Sequence, residues 1–197
     1  MLLRPVQPRA EGGVPCTITY SFYPVYTELF GLDYEEIPLN EDFTLPVERF
    51  LRGNGGAVIC NPNAPTGRAL PLSDIRRIVE ANPAAAVLVD EAYADFGAQS
   101  AVELIDQYPN LLVVRTMSKS RSLAGMRIGY ALGSQDLIAG VNCVKNSFNS
   151  YPLDRLAQAA GEAAVRDTAY FEETRGKIMA TRTWVTHRLR EMGFQVH

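Results

Sequence analysis

Lysine is scarce in this sequence, which has three lysines beside sixteen arginines. Histidine is scarcer, with His187 inside a helical pattern and His197 as the last residue. A Ser-His-Asp or Cys-His catalytic group is therefore poorly supplied. The cysteines Cys16, Cys60 and Cys143 are odd in number and show no Cys-x-x-Cys spacing. This argues against a disulfide framework and against a zinc site, and a reducing cytoplasm fits best.

Basic charge and long apolar runs are also missing. A net charge of −3 gives no basic surface that would favour nucleic acid or an anionic membrane. No stretch is apolar for long enough to span a bilayer, and prolines interrupt the N-terminal residues where a signal-peptide core would lie. We therefore expect a cytoplasmic protein that binds a small molecule rather than nucleic acid or a membrane.

Short apolar runs alternate with helical periodicities, which is typical of an α/β fold. The runs predict strands at residues 57–60, 86–90, 111–114 and 128–132. Between the first two, an amphipathic helix is predicted on Leu72, Ile75, Ile78 and Val79. A short helix is predicted over residues 101–107, whereas residues 1–18 have no periodicity and predict an irregular lead-in.

The last third of the chain shows helical periodicity from about residue 136. Two apolar stripes there are interpreted as ordinary core packing. They consist of Leu153, Leu156, Ala157, Ala160 and Ala164, and of Ile178, Val185, Leu189 and Met192. The second stripe lies on a long helix that is predicted to begin near Ala169 and to end at Gly193. Residues 194–196 resemble the start of a strand.

Lys119 comes shortly after the apolar run 111–114, near the start of a turn rich in serine and glycine. Schiff-base chemistry requires lysine, because arginine does not lose its proton at working pH. Asn63 and Asp90 also follow or end predicted strands. Ligands of open parallel sheets bind at the carboxyl ends of the strands. If these strands are parallel neighbours, the three side chains converge.

An aldehyde cofactor such as pyridoxal phosphate needs four kinds of group around it. These are a lysine amine, a carboxylate beside the pyridine nitrogen, a donor near the ring hydroxyl, and cations and hydroxyls near the phosphate. Lys119, Asp90, Tyr93, Ser118 and Arg127 are of these types. Taken singly, each is more often a turn, surface or ion-pair residue. Taken together, at strand ends, they favour a cofactor site.

Four segments in this order resemble fold-type-I aminotransferases, and among them most of all histidinol-phosphate aminotransferases. The segments are Thr-Tyr-Ser-Phe-Tyr at 19–23, Asn-Pro-Asn-Ala-Pro-Thr-Gly at 61–67, Val-Asp-Glu-Ala-Tyr at 89–93, and 118–129, which ends in Leu-Ala-Gly-Met-Arg-Ile-Gly. The ordered set is far more specific than any one motif. The resemblance covers roughly residue 19 to the C-terminus.

The resemblance implies a three-layer α/β/α fold with a mostly parallel sheet, the large pyridoxal-phosphate-binding domain of the aspartate-aminotransferase-like fold, here incomplete. Residues 19–165 would form this partial domain. Residues 166–197 would form a long connecting helix and the start of a small C-terminal domain. The family's N-terminal arm, and the small domain that supplies arginines for the substrate carboxylate, have no counterpart in the sequence.

The resemblance also implies residue roles. Lys119 would hold the cofactor aldehyde as an imine and move the proton, while Asp90 would pair with the pyridinium nitrogen. Further contacts would come from Tyr20 on the ring face, Tyr93 on the ring oxygen, and Ser118 and Arg127 on the phosphate. The family's asparagine before Pro-Thr-Gly is replaced by Ala64. Its ring-oxygen contact would fall to Asn63, to Asn61, or to Tyr93 alone.

The implied activity is transfer of the amino group from histidinol phosphate to 2-oxoglutarate, a step of histidine biosynthesis, in a cytoplasmic homodimer. The products would be imidazole acetol phosphate and glutamate. Three alternatives stay open: an aromatic aminotransferase, a pyridoxal-phosphate decarboxylase of the same fold, and a catalytically incomplete fragment. The sensor half of a transcription regulator is disfavoured, because residues 1–19 are too short to hold a helix-turn-helix.

Overall fold

The centre of the fold is a sheet of six strands in the computed structural model, which describes residues 12–14, 19–52 and 55–197. The strands are β1 (Gly12–Val14), β2 (Tyr34–Glu36), β3 (Ala57–Cys60), β4 (Val87–Asp90), β5 (Leu111–Thr116) and β6 (Gly129–Gly133). Their spatial order is β2-β1-β3-β4-β5-β6. All neighbours pair in parallel except β6, which is antiparallel to β5. The mostly parallel sheet agrees with the α/β fold predicted from the sequence.

Helices lie on both faces of this sheet, as the three-layer prediction requires. They are α1 (Phe22–Phe30), α2 (Leu72–Ala81), α3 (Gln135–Phe148), α4 (Arg155–Arg166) and α5 (Thr168–Glu191). Short 3-10 turns occur at Val47–Arg52, Ala94–Phe96, Ala101–Leu104 and Ala124–Met126. Within the described residues, no helix is both long and apolar enough to cross a membrane.

One face of β3, β4 and β5 is buried, because apolar side chains of alternate strand residues meet the apolar stripe of α2. The buried set includes Ile59, Val87, Val89, Leu111 and Val113 from the strands, with Ile75, Ile78 and Val79 from α2. Burying an aliphatic side chain of this size contributes about 1.5–3 kcal/mol. The core therefore fixes the spacing of β3, β4 and β5.

The opposite face carries α1 and is less completely covered. Val58, Leu88 and Val114 point to this face and are half-buried. They line an apolar cavity of about 440 Å³ together with Tyr26 and Phe30 of α1. The two faces of the sheet thus differ in packing, although both consist of aliphatic residues.

The register of the three central strands brings their carboxyl ends to one level. Asp90 is paired with Cys60 on β3 and with Val114 on β5. The segments that follow these strands therefore leave the sheet side by side. This arrangement confirms that the strands before Asn63, Asp90 and Lys119 are parallel neighbours.

Some sequence predictions about the elements are wrong. Residues 1–18 were expected to be irregular, yet Gly12–Val14 form a parallel strand between β2 and β3, and the remainder of that segment is outside the described residues. The helix expected over 101–107 is a 3-10 turn at Ala101–Leu104. Residues 194–196 do not form a strand.

The two C-terminal stripes are mostly not core. The long helix α5 has the predicted bounds and ends before Gly193, whose φ of 89° lies in the left-handed region. However, Ile178 is 49% exposed and Met192 68% exposed, so the core-packing interpretation of α5 is wrong. On α4, Ala157 is buried but Leu156 is 76% exposed. Apolar periodicity identified the helices but not what covers them.

Candidate active site

A cavity of about 480 Å³ lies at the carboxyl ends of β3, β4 and β5. Six of the residues selected from the sequence line it: Tyr20, Asp90, Tyr93, Ser118, Lys119 and Arg127. These residues come from three separate segments of the chain, 19–23, 89–93 and 118–129. The convergence expected from the strand ends is therefore present, with Asn63 as the exception.

Asp90 is held by two hydrogen bonds at the end of β4. The backbone N–H of Ala92 donates to Oδ1 at 2.9 Å, and the hydroxyl of Tyr23 donates to Oδ2 at 2.5 Å. Burial, reinforced by the negative charge of Asp90, raises the pKa of the Tyr23 hydroxyl far above its ordinary value. Tyr23 therefore stays protonated and remains a donor over the working pH range.

Tyr23 is not among the residues that were selected from the sequence. It lies in an apolar stretch at the start of α1, where an aromatic side chain is usually interpreted as core. Its spacing of three residues from Tyr20 was an available signal, because a turn that leads into a helix brings such residues together, and here the Tyr23 N–H donates to the Tyr20 carbonyl at 3.5 Å. The rings of Tyr20 and Tyr23 meet edge to face, with centroids 5.8 Å apart.

The segment containing Tyr20 is attached to two strand ends. Thr19 donates from Oγ1 to Oδ1 of Asn63 at 2.7 Å, and Tyr23 bonds Asp90 as described. Tyr20 lies between these two attachments and is 51% exposed. The attachments hold its ring at the cavity, where an aromatic plane can contact a flat ligand.

Lys119 follows β5, and its backbone begins a tight turn in which the Ser122 N–H donates to the Lys119 carbonyl at 3.1 Å. Its Nζ lies 5.2 Å from the ring centroid of Tyr93. The residue is exposed. Its amine is therefore accessible from the cavity.

Ser118 and Arg127 lie on the same side of the cavity as Lys119. The backbone N–H of Ser118 donates to Thr116 Oγ1 at 3.1 Å, which places the serine at the start of the turn. Arg127 has a φ of 54°, and its Nη1 donates to the Ala124 carbonyl at 2.9 Å. A hydroxyl and a guanidinium at one end of a cavity are suited to binding a phosphate.

A buried ion pair joins the end of β5, which precedes the turn of Lys119, to the residue that follows β4. Arg115 donates from Nη2 and Nε to Oε2 of Glu91 at 2.8 and 3.0 Å, and the Glu91 side chain is completely buried. Burial alone would lower the pKa of Arg115, but its bonds to Glu91 and Tyr130, together with the negative charges of Glu91 and Asp95, raise the pKa. Ser120, one residue after Lys119, donates to Asp95 Oδ2 at 2.5 Å. These bonds tie the turn of Lys119 to the segment that follows β4.

Asn63 is the selected residue that does not line the Lys119 cavity. It is buried, its Nδ2 donates to Thr66 Oγ1 at 2.9 Å, and it lines a neighbouring cavity of about 510 Å³. Asn61 exchanges two hydrogen bonds with the backbone of Leu70 and is also buried. Tyr93 is thus the member of the three alternatives that lines the Lys119 cavity.

Cys60 also lines this cavity, at the end of β3. Burial raises the pKa of its thiol, which therefore stays protonated at neutral pH. A protonated thiol is a poor nucleophile. Cys60 is therefore a poor candidate for a nucleophile in this cavity.

The groups around the cavity fit the needs of pyridoxal phosphate set out above. The fixed carboxylate of Asp90 and the accessible amine of Lys119 both line it, together with the aromatic ring of Tyr20. Ser118 and Arg127 supply a hydroxyl and a cation. The residue types and their shared cavity agree with a site for this cofactor.

Comparisons with known proteins point the same way. The family model described as aminotransferase class I and II matches residues 11–197. A relative described as histidinol-phosphate aminotransferase 2, from Burkholderia lata, is 58% identical over 179 residues, which cover 91% of this chain and 50% of the relative. This chain thus spans about half the length of the curated relatives it matches.

Solved structures show the same fold. A histidinol-phosphate aminotransferase from Sinorhizobium meliloti, in complex with pyridoxal-5'-phosphate, matches with a TM-score of 0.82 and 24% identity, over 96% of this chain and 53% of that one. A double mutant of Thermus thermophilus aspartate aminotransferase matches with a TM-score of 0.79 and 22% identity, over 98% and 54%. These matches confirm the predicted fold class. The family model, which matches residues 11–197, shows that this chain belongs to the class I and II aminotransferase family.

Proposed function

We propose that the chain binds pyridoxal phosphate and takes part in amino-group transfer from histidinol phosphate to 2-oxoglutarate, a step of histidine biosynthesis. The observation that carries the proposal is the convergence of Asp90, Tyr93, Ser118, Lys119 and Arg127 on one cavity. The choice of histidinol phosphate rests on the 58% identity to the Burkholderia lata relative. A cytoplasmic location and a homodimer belong to the same proposal.

The cofactor, when bound, supplies an aldehyde and an electron-accepting ring. Lys119 Nζ would hold the aldehyde carbon and move the proton of the amino donor. Asp90, fixed by Ala92 and Tyr23, would keep the ring nitrogen protonated. Tyr93 would donate to the ring oxygen in place of the asparagine replaced at Ala64.

The remaining cavity residues orient the cofactor. Ser118 and Arg127 would bind its phosphate, since a hydroxyl and a guanidinium form strong bonds to phosphate oxygens. Tyr20, half exposed at the opening, would cover one face of the ring. Together these side chains would contact the phosphate and one ring face of the same molecule.

Titration with pyridoxal phosphate tests the cofactor site. We expect a visible absorbance band from lysine-bound cofactor in the purified chain and its loss in Lys119→Ala. Lys177→Ala is the matched control, because Lys177 is exposed and paired with Glu173 at 2.5 Å, outside the cavity. Absence of the band in the wild-type chain would overturn the cofactor proposal.

The amino donor requires a second measurement. Histidinol phosphate should convert the bound cofactor to pyridoxamine phosphate, detected by chromatography of the cofactor released on denaturation. An aromatic amino acid, offered at the same concentration, distinguishes the aromatic-aminotransferase alternative. Cofactor binding without conversion by either donor would favour the catalytically incomplete alternative.

A further inference from the structure

Tyr23 approaches Asp90 from a different element of the fold. The tyrosine is in the first turn of α1, and the carboxylate is at the end of β4, 67 residues later. Their hydrogen bond is 2.5 Å long and partly buried. Bonds in which the acceptor is a carboxylate are shorter and stronger than neutral ones. The bond is therefore a firm attachment of α1 to the carboxyl edge of the sheet.

The two hydrogen bonds to Asp90 engage both of its oxygens. Oδ1 accepts from the Ala92 N–H and Oδ2 accepts from Tyr23. A carboxylate oxygen has more than one lone pair, so each can accept a further bond from a ligand in the cavity. With both oxygens tied, rotation of the carboxylate about its own bond would break at least one hydrogen bond.

We propose that Tyr23 is a positioning residue, whose hydroxyl holds the Asp90 carboxylate in the orientation that receives the protonated ring nitrogen of the cofactor. The inference rests on the proposed function, because it concerns the partner of Asp90 in the same cavity. It assigns to Tyr23 a contribution that acts through Asp90 and not by contact with the ring. The high pKa of Tyr23 supports it, because a neutral phenol stays a donor throughout the working pH range.

An analogue of the cofactor separates this role from a general effect on the cavity. The analogue has a C–H group in place of the ring nitrogen and keeps the aldehyde and the phosphate. Such a ring has no N–H group that could donate a hydrogen bond to Asp90. If Tyr23 acts through Asp90, its loss weakens binding of pyridoxal phosphate and leaves binding of the analogue unchanged. A variant that merely loosens α1 weakens both.

The experiment measures the dissociation constants of both aldehydes for the wild-type chain and for Tyr23→Phe. We expect the variant to bind pyridoxal phosphate about tenfold more weakly, the effect of losing one hydrogen bond to a charged group. Tyr108→Phe is the matched control. It removes the same kind of bond, from a tyrosine hydroxyl to the Glu80 carboxylate at 2.5 Å, on an exposed part of the surface.

The Asp90→Asn background gives a second measurement. Adding Tyr23→Phe to Asp90→Asn should produce no further loss of pyridoxal phosphate affinity, because the group through which Tyr23 acts is already altered. Thermal unfolding of every variant shows whether the chain remains folded.

The outcomes distinguish the two proposals. If the wild-type chain binds neither aldehyde, the proposed function fails and the inference fails with it. If the wild-type chain binds pyridoxal phosphate but Tyr23→Phe weakens both aldehydes equally, or neither, the inference is overturned and the proposed function stands. A tenfold loss confined to the aldehyde with a ring nitrogen supports the positioning role.

Discussion

The two sides of the Lys119 cavity are held in different ways. On the Asp90 side, the side chain itself is fixed, because Tyr23 and the Ala92 N–H both bond the Asp90 carboxylate. On the Lys119 side, bonds made by neighbouring residues hold the backbone of the turn, whereas the side chains of Lys119 and Arg127 are exposed. The difference suits two kinds of task. A carboxylate that stabilises a ring charge benefits from a set orientation, and a lysine that exchanges partners needs an accessible amine.

The buried ion pair near Lys119 gives the largest expected effect on stability. Arg115→Ala would leave the Glu91 carboxylate, whose side chain is completely buried, without its cation. Breaking a buried ion pair by removing one partner costs about 3–5 kcal/mol, and urea denaturation would measure this loss.

The control for Arg115→Ala is Arg166→Ala, which breaks an exposed pair with Glu162. Exposed pairs contribute little, so the control should unfold at the wild-type urea concentration. Equal urea midpoints for Arg115→Ala and Arg166→Ala would contradict the claim that the buried ion pair stabilises this side of the cavity.

Ser120→Ala tests the same side at a single bond. The hydroxyl is buried and bonded to Asp95, so its removal should lower the free energy of unfolding by about 1–3 kcal/mol. It should also slow the reaction of Lys119 with pyridoxal phosphate, followed by stopped-flow absorbance, because the turn that carries the lysine loses an attachment. Ser147→Ala, at an exposed site on α3, is the control. An unchanged rate in Ser120→Ala would show that this attachment does not position the lysine.

On the Asp90 side, we expect a smaller effect on stability that depends on pH. An unfolded tyrosine ionises near its ordinary pKa of 10.0, whereas folding raises the pKa of Tyr23. The folded chain therefore retains this proton when the unfolded chain has lost it. The stabilisation is fully present below pH 10 and is lost above it, by about 1.4 kcal/mol per pH unit.

Urea denaturation at a series of pH values above 10 checks this expectation. The free energy of unfolding of Tyr23→Phe should fall less steeply with pH than that of the wild-type chain. The two slopes should differ by the amount that one proton contributes. Tyr34→Phe, which alters an exposed tyrosine of β2, serves as the control. Identical slopes for wild type and Tyr23→Phe would contradict a buried hydroxyl bonded to Asp90.

The strand ends were predictable from the sequence because strand position follows from short apolar runs. The segments after β3, β4 and β5 were placed correctly, and six selected residues line one cavity. Tyr23 was not predictable in this way, because its contact with Asp90 joins residues 67 positions apart. Pattern analysis also could not tell that Asn63 lies beside the cavity rather than in it, since that depends on the path of a turn.

The sequence also did not show which helix surfaces are buried against the rest of the fold. The apolar stripe of α2 is buried, whereas α5 is far less amphipathic and has no buried residue. A stripe shows that one side of a helix is apolar, but it does not show which surface lies opposite. Gly12–Val14 form a strand within an otherwise patternless segment, because pairing with β2 and β3 outweighs weak local preference.

The central claim is that Lys119 is the amine that receives the cofactor. The most direct test is to incubate the chain with pyridoxal phosphate, reduce it with borohydride and map the modified peptide by mass spectrometry. We predict one reduced adduct per chain, on Lys119. An adduct on Lys145 or Lys177, or no adduct, would contradict the account.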